Sequence, residues 1–377
     1  MQSERLRRAV LVALVAVVVA AGAAAAPAWL SGSVPAAGAA AAQGRSLPVF
    51  EVDASWPTVP EGMGLGAPSS IAIDAQDNVW VLHRPLTLPP EQDAMAAPPV
   101  VVFDSAGNFI KAWGGAGAGY EWPQREHGLH IDHEGFVWLG GNNCPTNGVP
   151  RVEPVNDDQM LKFTQDGDFV MQIGRSDGSS GNADMMNLHR PADQRVHPPT
   201  NELFVADGYG NRRVVVFDAE TGRFKRRWGA FGDTPVDDDQ CQVQNPTSFS
   251  DPGPAYFNVL HAIRVSNDGM VYAADREHRR VQVFTLGGTF VDQVITPDAP
   301  FARNLALSAD PEQQFLYVGG NDGIVVVDRA TLEILGTVRP EGILGAGHHI
   351  ETDSQGNLYV AATGAGMQKL TFRGMSE

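Results

Sequence analysis

Residues 127–141 read HGLHIDHEGFVWLGG and contain the strand pattern on which the fold prediction rests. An alternating run, Leu129-His130-Ile131, leads into the turn signal Glu134-Gly135 and then into Val137-Trp138-Leu139, an aromatic between two aliphatic residues. Alternation with a period of two on both sides of a glycine turn is typical of a β-hairpin. The aromatic strand motif recurs five more times along the chain, which indicates a repeat architecture.

The repeat unit is built of four short strands, and the sixth copy has three of them. The aromatic motif is the second strand of each unit, and its six instances are Val79-Trp80-Val81, Val137-Trp138-Leu139, Leu203-Phe204-Val205, Val271-Tyr272-Ala273, Leu316-Tyr317-Val318 and Leu358-Tyr359-Val360. A third strand follows, as in VVVFD at 100–104, and a fourth follows a glycine or threonine turn, as in NFIKAWG at 108–114. Antiparallel units of this kind, repeated about every 40–65 residues, predict an all-β, six-bladed β-propeller.

The ring closure is predicted from the two ends of the repeat array. The sixth unit has three strands before Glu377, and a further strand at 49–53 precedes the first unit. We expect this N-terminal strand to be the outer strand of the last blade, where Pro48 is tolerated at a sheet edge. Such a closure removes open sheet edges, and the predicted propeller domain spans residues 47–373.

The N-terminal 42 residues have the layout of a secretory signal peptide. Arg5, Arg7 and Arg8 precede an apolar run at 9–26, and small residues offer cleavage positions near Ala26 or Ala42. A retained membrane anchor is the alternative, because the run is nearly long enough to span a bilayer. Its alanine content makes it weakly hydrophobic and favours cleavage, which predicts an exported protein, periplasmic or extracellular, with no membrane attachment.

Charge and cysteine content exclude several classes of function. The net charge is −17, so the chain has no electrostatic basis for binding nucleic acid or anionic lipid. The two cysteines, Cys144 and Cys241, are a disulfide candidate in an oxidising compartment. Two cysteines are too few for a cysteine-based metal site.

Three histidines share one register in the repeat. The first strand of a propeller blade lines the central axis, and three of the six units begin this strand with His127, His261 and His348. At the same register the other three units carry Ser69, Ala192 and Arg303. The histidines therefore fall on alternate blades, about 120° apart, and their imidazoles can converge on one axial point.

Convergent imidazoles predict a divalent metal site. Three neutral imidazoles with an open position are typical of catalytic zinc. A single histidine lining a tunnel usually bonds to water or to a backbone carbonyl, but three at one register favour a shared metal. Surface or loop positions are expected for the remaining histidines, which lack this symmetry: His83, His130, His133, His189, His197, His278 and His349.

The same face of the propeller carries the residues that follow each second strand. Among them are Arg84 in unit one, Tyr209 in unit three and Arg276 in unit four. A phenol and two guanidiniums beside a metal suit an anionic or carbonyl-forming substrate. The alternative is that each arginine pairs with a carboxylate in a neighbouring loop.

The blade pattern resembles NHL-type propellers, and the residues of this face resemble more narrowly a lyase family that cleaves peptidyl-α-hydroxyglycine to a peptide amide and glyoxylate. The segments that carry the resemblance are HRP (83–85), HGLHIDHEGFVW (127–138), ADGYGNRRVVVF (206–217), ADREHRRVQVF (274–284) and GHHIETDSQGNLYV (347–360). The resemblance implies zinc on His127, His261 and His348. It also implies Tyr209 as the catalytic base, Arg84 and Arg276 facing the substrate, and no redox cofactor.

The sequence departs from this family at positions that bear on function. The family's third histidine is usually followed by an aspartate that helps to hold a structural calcium; here the residue is His349, which argues against calcium. Gly210 stands where a cysteine often follows the tyrosine, so that disulfide is absent. The expected partner is a small molecule or the C-terminus of a peptide.

Two other functions remain open from the sequence. One is a non-catalytic propeller that serves as a binding or scaffold module. The other is a metal-dependent hydrolase of another small molecule, such as a lactonase. Lactonase propellers of the gluconolactonase type generally use Glu, Asp and Asn ligands, so the histidine triad argues against that relative.

Overall fold

A computed structural model describes residues 46–146, 151, 153–237, 251–296, 302–320, 323–345 and 347–377. The predicted signal peptide at 1–42 lies outside these ranges. Within them, no helix has the length and apolar character needed to cross a membrane.

The described residues form short strands throughout, with 3-10 turns at Pro85–Thr87, Pro90–Met95 and Ala230–Gly232. In chain order the strands are β1 (Pro48–Asp53), β2 (Ala67–Ile73), β3 (Val79–Arg84), β4 (Val100–Phe103), β5 (Phe109–Trp113), β6 (Glu126–Ile131), β7 (Val137–Gly141), β8 (Gln159–Phe163), β9 (Phe169–Gly174), β10 (Asp193–His197), β11 (Glu202–Asp207), β12 (Arg213–Asp218), β13 (Phe224–Trp228), β14 (Leu260–Val265), β15 (Met270–Asp275), β16 (Arg280–Thr285), β17 (Phe290–Ile295), β18 (Asn304–Leu307), β19 (Phe315–Gly319), β20 (Ile324–Asp328), β21 (Ile334–Val338), β22 (His349–Thr352), β23 (Leu358–Ala362) and β24 (Gly366–Met375).

These strands make six antiparallel sheets of four strands each, which are the six predicted blades. Blades 1 to 5 each use four consecutive strands, from β2–β5 to β18–β21. Blade 6 has the strand order β1-β24-β23-β22, with Phe50 of β1 opposite Phe372 of β24. The prediction of an all-β, six-bladed propeller is confirmed.

Consecutive blades are held together by shared apolar cores. Trp80 and Leu82 of blade 1 lie in one buried cluster with Leu129 and Leu139 of blade 2. The second strands are buried on both faces, which is why they read as continuous apolar runs rather than as alternating ones. The cluster that contains Tyr359 of blade 6 also holds residues of blade 1, so the apolar core continues around the whole ring.

In blades 1, 2 and 6 the aromatic residue of the second strand bonds to an aspartate six residues earlier. The Oδ2 atoms of Asp74 and Asp132 accept hydrogen bonds from the indole Nε1 of Trp80 and Trp138 at 2.9 and 2.8 Å. In blade 6 the same pairing joins Asp353 to the hydroxyl of Tyr359, at 3.1 Å. In these three blades one carboxylate thus links the turn after the first strand to the buried aromatic residue of the second strand.

We expect Asp132→Ala to lower the free energy of unfolding by about 1–3 kcal/mol, because it removes the acceptor of a buried indole and of two turn amides. Asp132 Oδ1 accepts from the backbone N–H groups of Glu134 and Phe136, at 3.0 and 2.8 Å. Urea denaturation measures the change. The control is Asp166→Ala, which removes an exposed ion pair with Lys111 and should leave the free energy of unfolding nearly unchanged. Equal losses would contradict the prediction.

Candidate metal centre

The structure brings the three register histidines together on the axis. His127 lies in β6, His261 in β14, and His348 directly before β22. The ring centroid of His127 is 4.5 Å from that of His348 and 4.9 Å from that of His261, and the last two are 4.9 Å apart. One nitrogen from each ring can point to a common centre, since these ligand atoms all lie within 4.8 Å of one another.

A backbone carbonyl of the next blade orients each imidazole through Nδ1. The three acceptors are the residues that share the histidines' register in the odd-numbered blades. The pairs are His127 with Ala192 at 2.7 Å, His348 with Ser69 at 2.7 Å, and His261 with Arg303. A carbonyl oxygen only accepts, so each Nδ1 carries the proton and each Nε2 presents a lone pair. Nδ1–H bonded to a carbonyl is the usual support of a metal-binding histidine.

Local backbone irregularities aim these side chains at the axis. The β6–β7 register shifts between Glu126 and Leu129, and that of β14–β15 shifts across His261, so both histidines sit at bulges. Gly128 follows His127 where a Cβ atom would come within 2.7 Å of the Ala192 carbonyl oxygen. Glycine at this position therefore lets blade 3 approach closely enough to bond the imidazole.

Burial keeps the three imidazoles neutral. It is the main cause that lowers the pKa of His127, His261 and His348 well below the usual range of histidine. The neighbouring imidazoles and arginines lower it further, since another positive charge nearby disfavours the imidazolium. Neutral imidazoles are the form that a divalent metal requires.

Tyr209 lies against the triad. Its hydroxyl oxygen is 3.0 Å from Nε2 of both His127 and His261. Arg276 Nη1 donates to the same oxygen at 3.1 Å, and Arg276 Nε bonds to Glu277 at 2.7 Å. The residue before the tyrosine is Gly208. Glycine is required there because a Cβ atom would lie 2.0 Å from the carbonyl oxygen of Leu260.

Arg84 is buried beside the same centre. Its Nε donates to the carbonyl of Glu126 at 2.8 Å, and its Nη2 has no hydrogen-bond partner within the described ranges. Burial, with a contribution from Arg125, lowers the pKa of Arg84 to about 10, so the group stays cationic at neutral pH. Glu126 precedes His127, so its bond to Arg84 holds the guanidinium beside the triad. After burial, the charge of Arg84 is the largest cause that lowers the pKa of His348.

Arg303 is a further residue of this centre, and the sequence identified only its register. Its carbonyl supports His261, and its side chain interacts electrostatically with Arg276 and Tyr209. Together with His348 it lines a cavity of about 200 Å³, whose other walls are mostly glycine and alanine. The centre is thus locally cationic although the whole chain is acidic.

A buried ionic network lies next to the triad along the axis. Arg264 Nη1 bonds to Asp193 Oδ2 at 2.7 Å, and its Nη2 donates to the carbonyl of Ile350 at 3.0 Å. His349 Nε2 lies 3.4 Å from Asp193 Oδ1, and Glu351 pairs with Arg195. The network joins inner strands of blades 3, 4 and 6, and His349 belongs to it.

Two further sequence predictions concern the remaining histidines and the pair of cysteines. Surface or loop positions are wrong for His83, His197 and His349, because these three are buried within strands. His278 is buried too, but it lies in the loop between β15 and β16. The three strand histidines bond to protein groups rather than facing water, which a single histidine letter does not reveal. Cys241 lies outside the described residues, so its disulfide with Cys144 stays a prediction.

The fold and the site define a six-bladed propeller with three axial histidines that could hold a metal ion. The chain has homologues among amidating enzymes and NHL repeat proteins. It is 26% identical over 339 residues to the peptidylglycine alpha-amidating monooxygenase of Rattus norvegicus, covering 82% of this chain and 30% of that protein. It is 27% identical over 175 residues to a probable peptidyl-alpha-hydroxyglycine alpha-amidating lyase of Caenorhabditis elegans, covering 46% and 41%.

A third relative broadens the comparison. NHL repeat-containing protein 3 of Mus musculus is 26% identical over 243 residues, covering 63% of this chain and 57% of that protein. The chain spans less than a third of the length of the rat amidating monooxygenase. No protein-family model matches the sequence. The resemblance to amidating lyases and NHL proteins, predicted from the sequence, is confirmed.

Proposed function

We propose that this protein is a zinc-dependent carbon–nitrogen lyase that cleaves a carbinolamide of the peptidyl-α-hydroxyglycine type to an amide and glyoxylate. One observation carries the proposal: three neutral imidazoles, each held through Nδ1, meet beside a tyrosine hydroxyl that an arginine also contacts. The similarity to a probable amidating lyase supports the same reaction.

The residues fit a zinc ion. The donor set is three imidazole Nε2 atoms in the correct tautomer, and catalytic zinc sites use three protein ligands with one open position. When bound, zinc supplies a Lewis acid that makes the substrate's α-hydroxyl group more acidic. His127, His261 and His348 are the residues that would hold it.

Each neighbouring side chain has a role in the proposed reaction. Tyr209 accepts the proton of the α-hydroxyl; the carbon–oxygen double bond forms while the carbon–nitrogen bond breaks, and the amide nitrogen gains a proton. Arg276 holds the tyrosine oxygen at 3.1 Å. Arg84 orients the substrate carboxylate or stabilises the developing charge through its free Nη2 group. The proposed cleavage is redox-neutral, so it needs neither an oxidant nor a reductant.

The test is release of glyoxylate from α-hydroxyhippurate by the zinc-loaded protein, monitored colorimetrically. Turnover of this substrate separates a lyase from a hydrolase of another small molecule, such as a lactonase. A folded protein that binds zinc but releases no glyoxylate would sink the lyase proposal. A folded protein that binds no metal would favour a non-catalytic binding or scaffold module.

We expect Tyr209→Phe to lower kcat for glyoxylate release by about 100-fold or more, because a positioned acid or base typically contributes 10²–10⁴-fold. The variant should still bind zinc, since the three imidazoles keep their carbonyl partners. Kinetics and metal content are measured on the same preparation. Wild-type turnover in Tyr209→Phe would exclude this residue as the base, and loss of zinc would show a structural role instead.

We further propose that residues 1–42 direct export and that the protein works in the periplasm or outside the cell. The basis is the basic and then apolar pattern of this segment. We likewise propose that residues 47–373 form the propeller domain.

A further inference from the structure

The polar atom of the second-strand aromatic residue is hydrogen-bonded in four of the blades. Trp80, Trp138 and Tyr359 each donate to an aspartate in the turn after the first strand. In blade 4 the hydroxyl of Tyr272 accepts a hydrogen bond from Arg329 Nη1 at 3.2 Å. Blade 3 has a phenylalanine at this position, which needs no partner. A polar atom buried here is therefore normally paired within the protein.

Blade 5 departs from this pattern. Its second-strand aromatic residue, Tyr317, is 3% exposed, and its hydroxyl has no hydrogen-bond partner among the described residues. The turn before it, at 308–314, is longer than the equivalent turn of blade 1, at 74–78. It also begins with Ser308, where blades 1, 2 and 6 have the aspartate that accepts the bond. The longer turn thus leaves the hydroxyl of Tyr317 without the partner that the other blades supply.

A cavity of about 730 Å³ lies at this position, between blades 5 and 6. Tyr317 lines it together with two other aromatic residues, Phe315 and Phe372, and the turn residues Ser308 and Asp310 form part of its wall. We call it the blade-5 cavity. Turns after first strands lie on the face of the propeller opposite the triad, so this cavity is separate from the candidate metal centre. Its volume is within the range of small-molecule sites.

The walls of the blade-5 cavity favour a cation. Asp310, Glu312 and Asp328 line it. Arg329 lines it too, but its nitrogens already donate within the protein. Its Nη1 pairs with Asp268 at 2.8 Å, and its Nε and Nη2 each donate to a backbone carbonyl of the 308–314 turn at 2.7 Å. Carboxylates and the faces of aromatic rings both attract a positive charge, so an anion is disfavoured here.

The carboxylate of Asp310 is held in place close to Tyr317. Its Oδ1 accepts from the N–H of Gln314 at 2.9 Å, and its Oδ2 accepts from the hydroxyl of Ser308. Each carboxylate oxygen keeps a further lone pair for a ligand. Burial raises the pKa of Tyr317, and the charge of Asp310 raises it further. The phenol therefore stays neutral, and its oxygen can accept a hydrogen bond from a cationic donor.

We propose that the blade-5 cavity, defined by Ser308, Asp310, Phe315, Tyr317, Arg329 and Phe372, binds a small organic cation, a protonated primary amine with an apolar body. The ammonium group donates to the hydroxyl oxygen of Tyr317 and to the carboxylate of Asp310, since its three N–H groups can reach two acceptors at once. The apolar body packs against Phe315 and Phe372. This second ligand site does not depend on the proposed lyase function.

The experiment compares three compounds that share a phenylmethyl body and differ in charge: benzylamine, benzyl alcohol and phenylacetate. Dissociation constants are measured by NMR titration of the protein with and without zinc. We expect benzylamine to bind at least about tenfold more tightly than either of the others, because its hydrogen bonds to the cavity are assisted by charge. Its affinity should be the same in both preparations, since the cavity is separate from the candidate metal centre.

Two substitutions test the polar contacts of the ligand. Tyr317→Phe should weaken benzylamine binding about fivefold, and Asp310→Asn should weaken it about tenfold. The matched controls are Tyr120→Phe, whose hydroxyl bonds to the carbonyl of Gly115 at 3.0 Å, and Asp166→Asn in the turn between β8 and β9. Neither control residue lines the blade-5 cavity, so both controls should bind benzylamine as the wild type does.

The thermal stability of the ligand-free variants is a second readout. Because the hydroxyl of Tyr317 is unpaired, Tyr317→Phe should not lower Tm, whereas Tyr359→Phe removes a bond to Asp353 at 3.1 Å and should lower it. Equal losses of Tm would show that the hydroxyl of Tyr317 has a partner and would contradict the proposal.

The binding data decide the site itself. No measurable binding of benzylamine, equal affinities for the three compounds, or tighter binding of phenylacetate would each overturn it. Benzylamine binding that is unchanged in both Tyr317→Phe and Asp310→Asn would overturn it as well. Binding that requires zinc would place the amine at the metal centre instead.

Discussion

Alanine at His127, His261 or His348 will abolish stoichiometric zinc binding and, with it, the release of glyoxylate. Each substitution removes one of three ligands and leaves two imidazoles, which is fewer than catalytic zinc sites use. Loss of an outer-shell partner alone costs 10–100-fold in metal affinity, so loss of a ligand should cost at least about 100-fold. Zinc content after loading and gel filtration, measured by mass spectrometry, gives the stoichiometry.

A thermal shift gives a readout of the same site that does not depend on activity. A metal that binds the folded state alone raises its stability in proportion to the logarithm of the metal concentration over Kd. Zinc should therefore raise the Tm of the wild type and leave that of the three variants nearly unchanged. His133→Ala is the matched control, since His133 is exposed on the turn between β6 and β7 and should keep both zinc and the thermal shift. Zinc retained at wild-type stoichiometry in all three triad variants would rule out the site.

The sequence predicted the triad because the fold is a repeat. Six copies of one strand motif define a shared register, and the register alone brings His127, His261 and His348 to one axial height. Tyr209 and Arg276 follow from the same reasoning, since both lie after second strands on one face. The structure places the hydroxyl of Tyr209 within hydrogen-bonding distance of His127, His261 and Arg276.

The parts that escaped prediction depend on contacts between blades. The backbone carbonyls that hold the imidazoles belong to residues whose side chains gave no signal, such as Ala192. Arg303 was identified by register, but the direction of its side chain depends on how blades 5 and 6 pack. The burial of His349 was missed for the same reason, because its partner Asp193 belongs to blade 3. His83 differs, since its partners Gly66 and Pro98 lie in loops of its own blade. Register gives the height of a residue along the axis, whereas packing gives its neighbours.

The buried ionic network beside the triad allows a test of what stabilises the inner strands around the axis. Asp193 and Arg264 have side chains that are 0% and 4% exposed, and they pair at 2.7 Å. Burial alone raises the pKa of Asp193, but the charge of Arg264 and the hydrogen bond from His349 outweigh it and hold this pKa far below the usual range of a carboxyl group. The carboxylate is therefore ionised in the folded protein and depends on its cationic neighbours.

Arg264→Met should lower the free energy of unfolding by about 3–5 kcal/mol, because it leaves the charge of Asp193 buried without its main partner. Urea denaturation of the zinc-free protein isolates this effect from metal binding. Arg373→Met is the control: its ion pair with Glu51 is exposed, 54% and 65%, and should contribute about 1 kcal/mol or less.

The double variant Arg264→Met/Asp193→Asn distinguishes the loss of the ion pair from the cost of leaving an unpaired carboxylate buried. Removing both charges avoids the isolated carboxylate, so the double variant should be more stable than Arg264→Met alone. If the double variant were the less stable of the two, the cost of Arg264→Met would come from lost packing of its long side chain rather than from Asp193. The same measurement would then assign Arg264 a steric role in filling the axis between blades 3, 4 and 6.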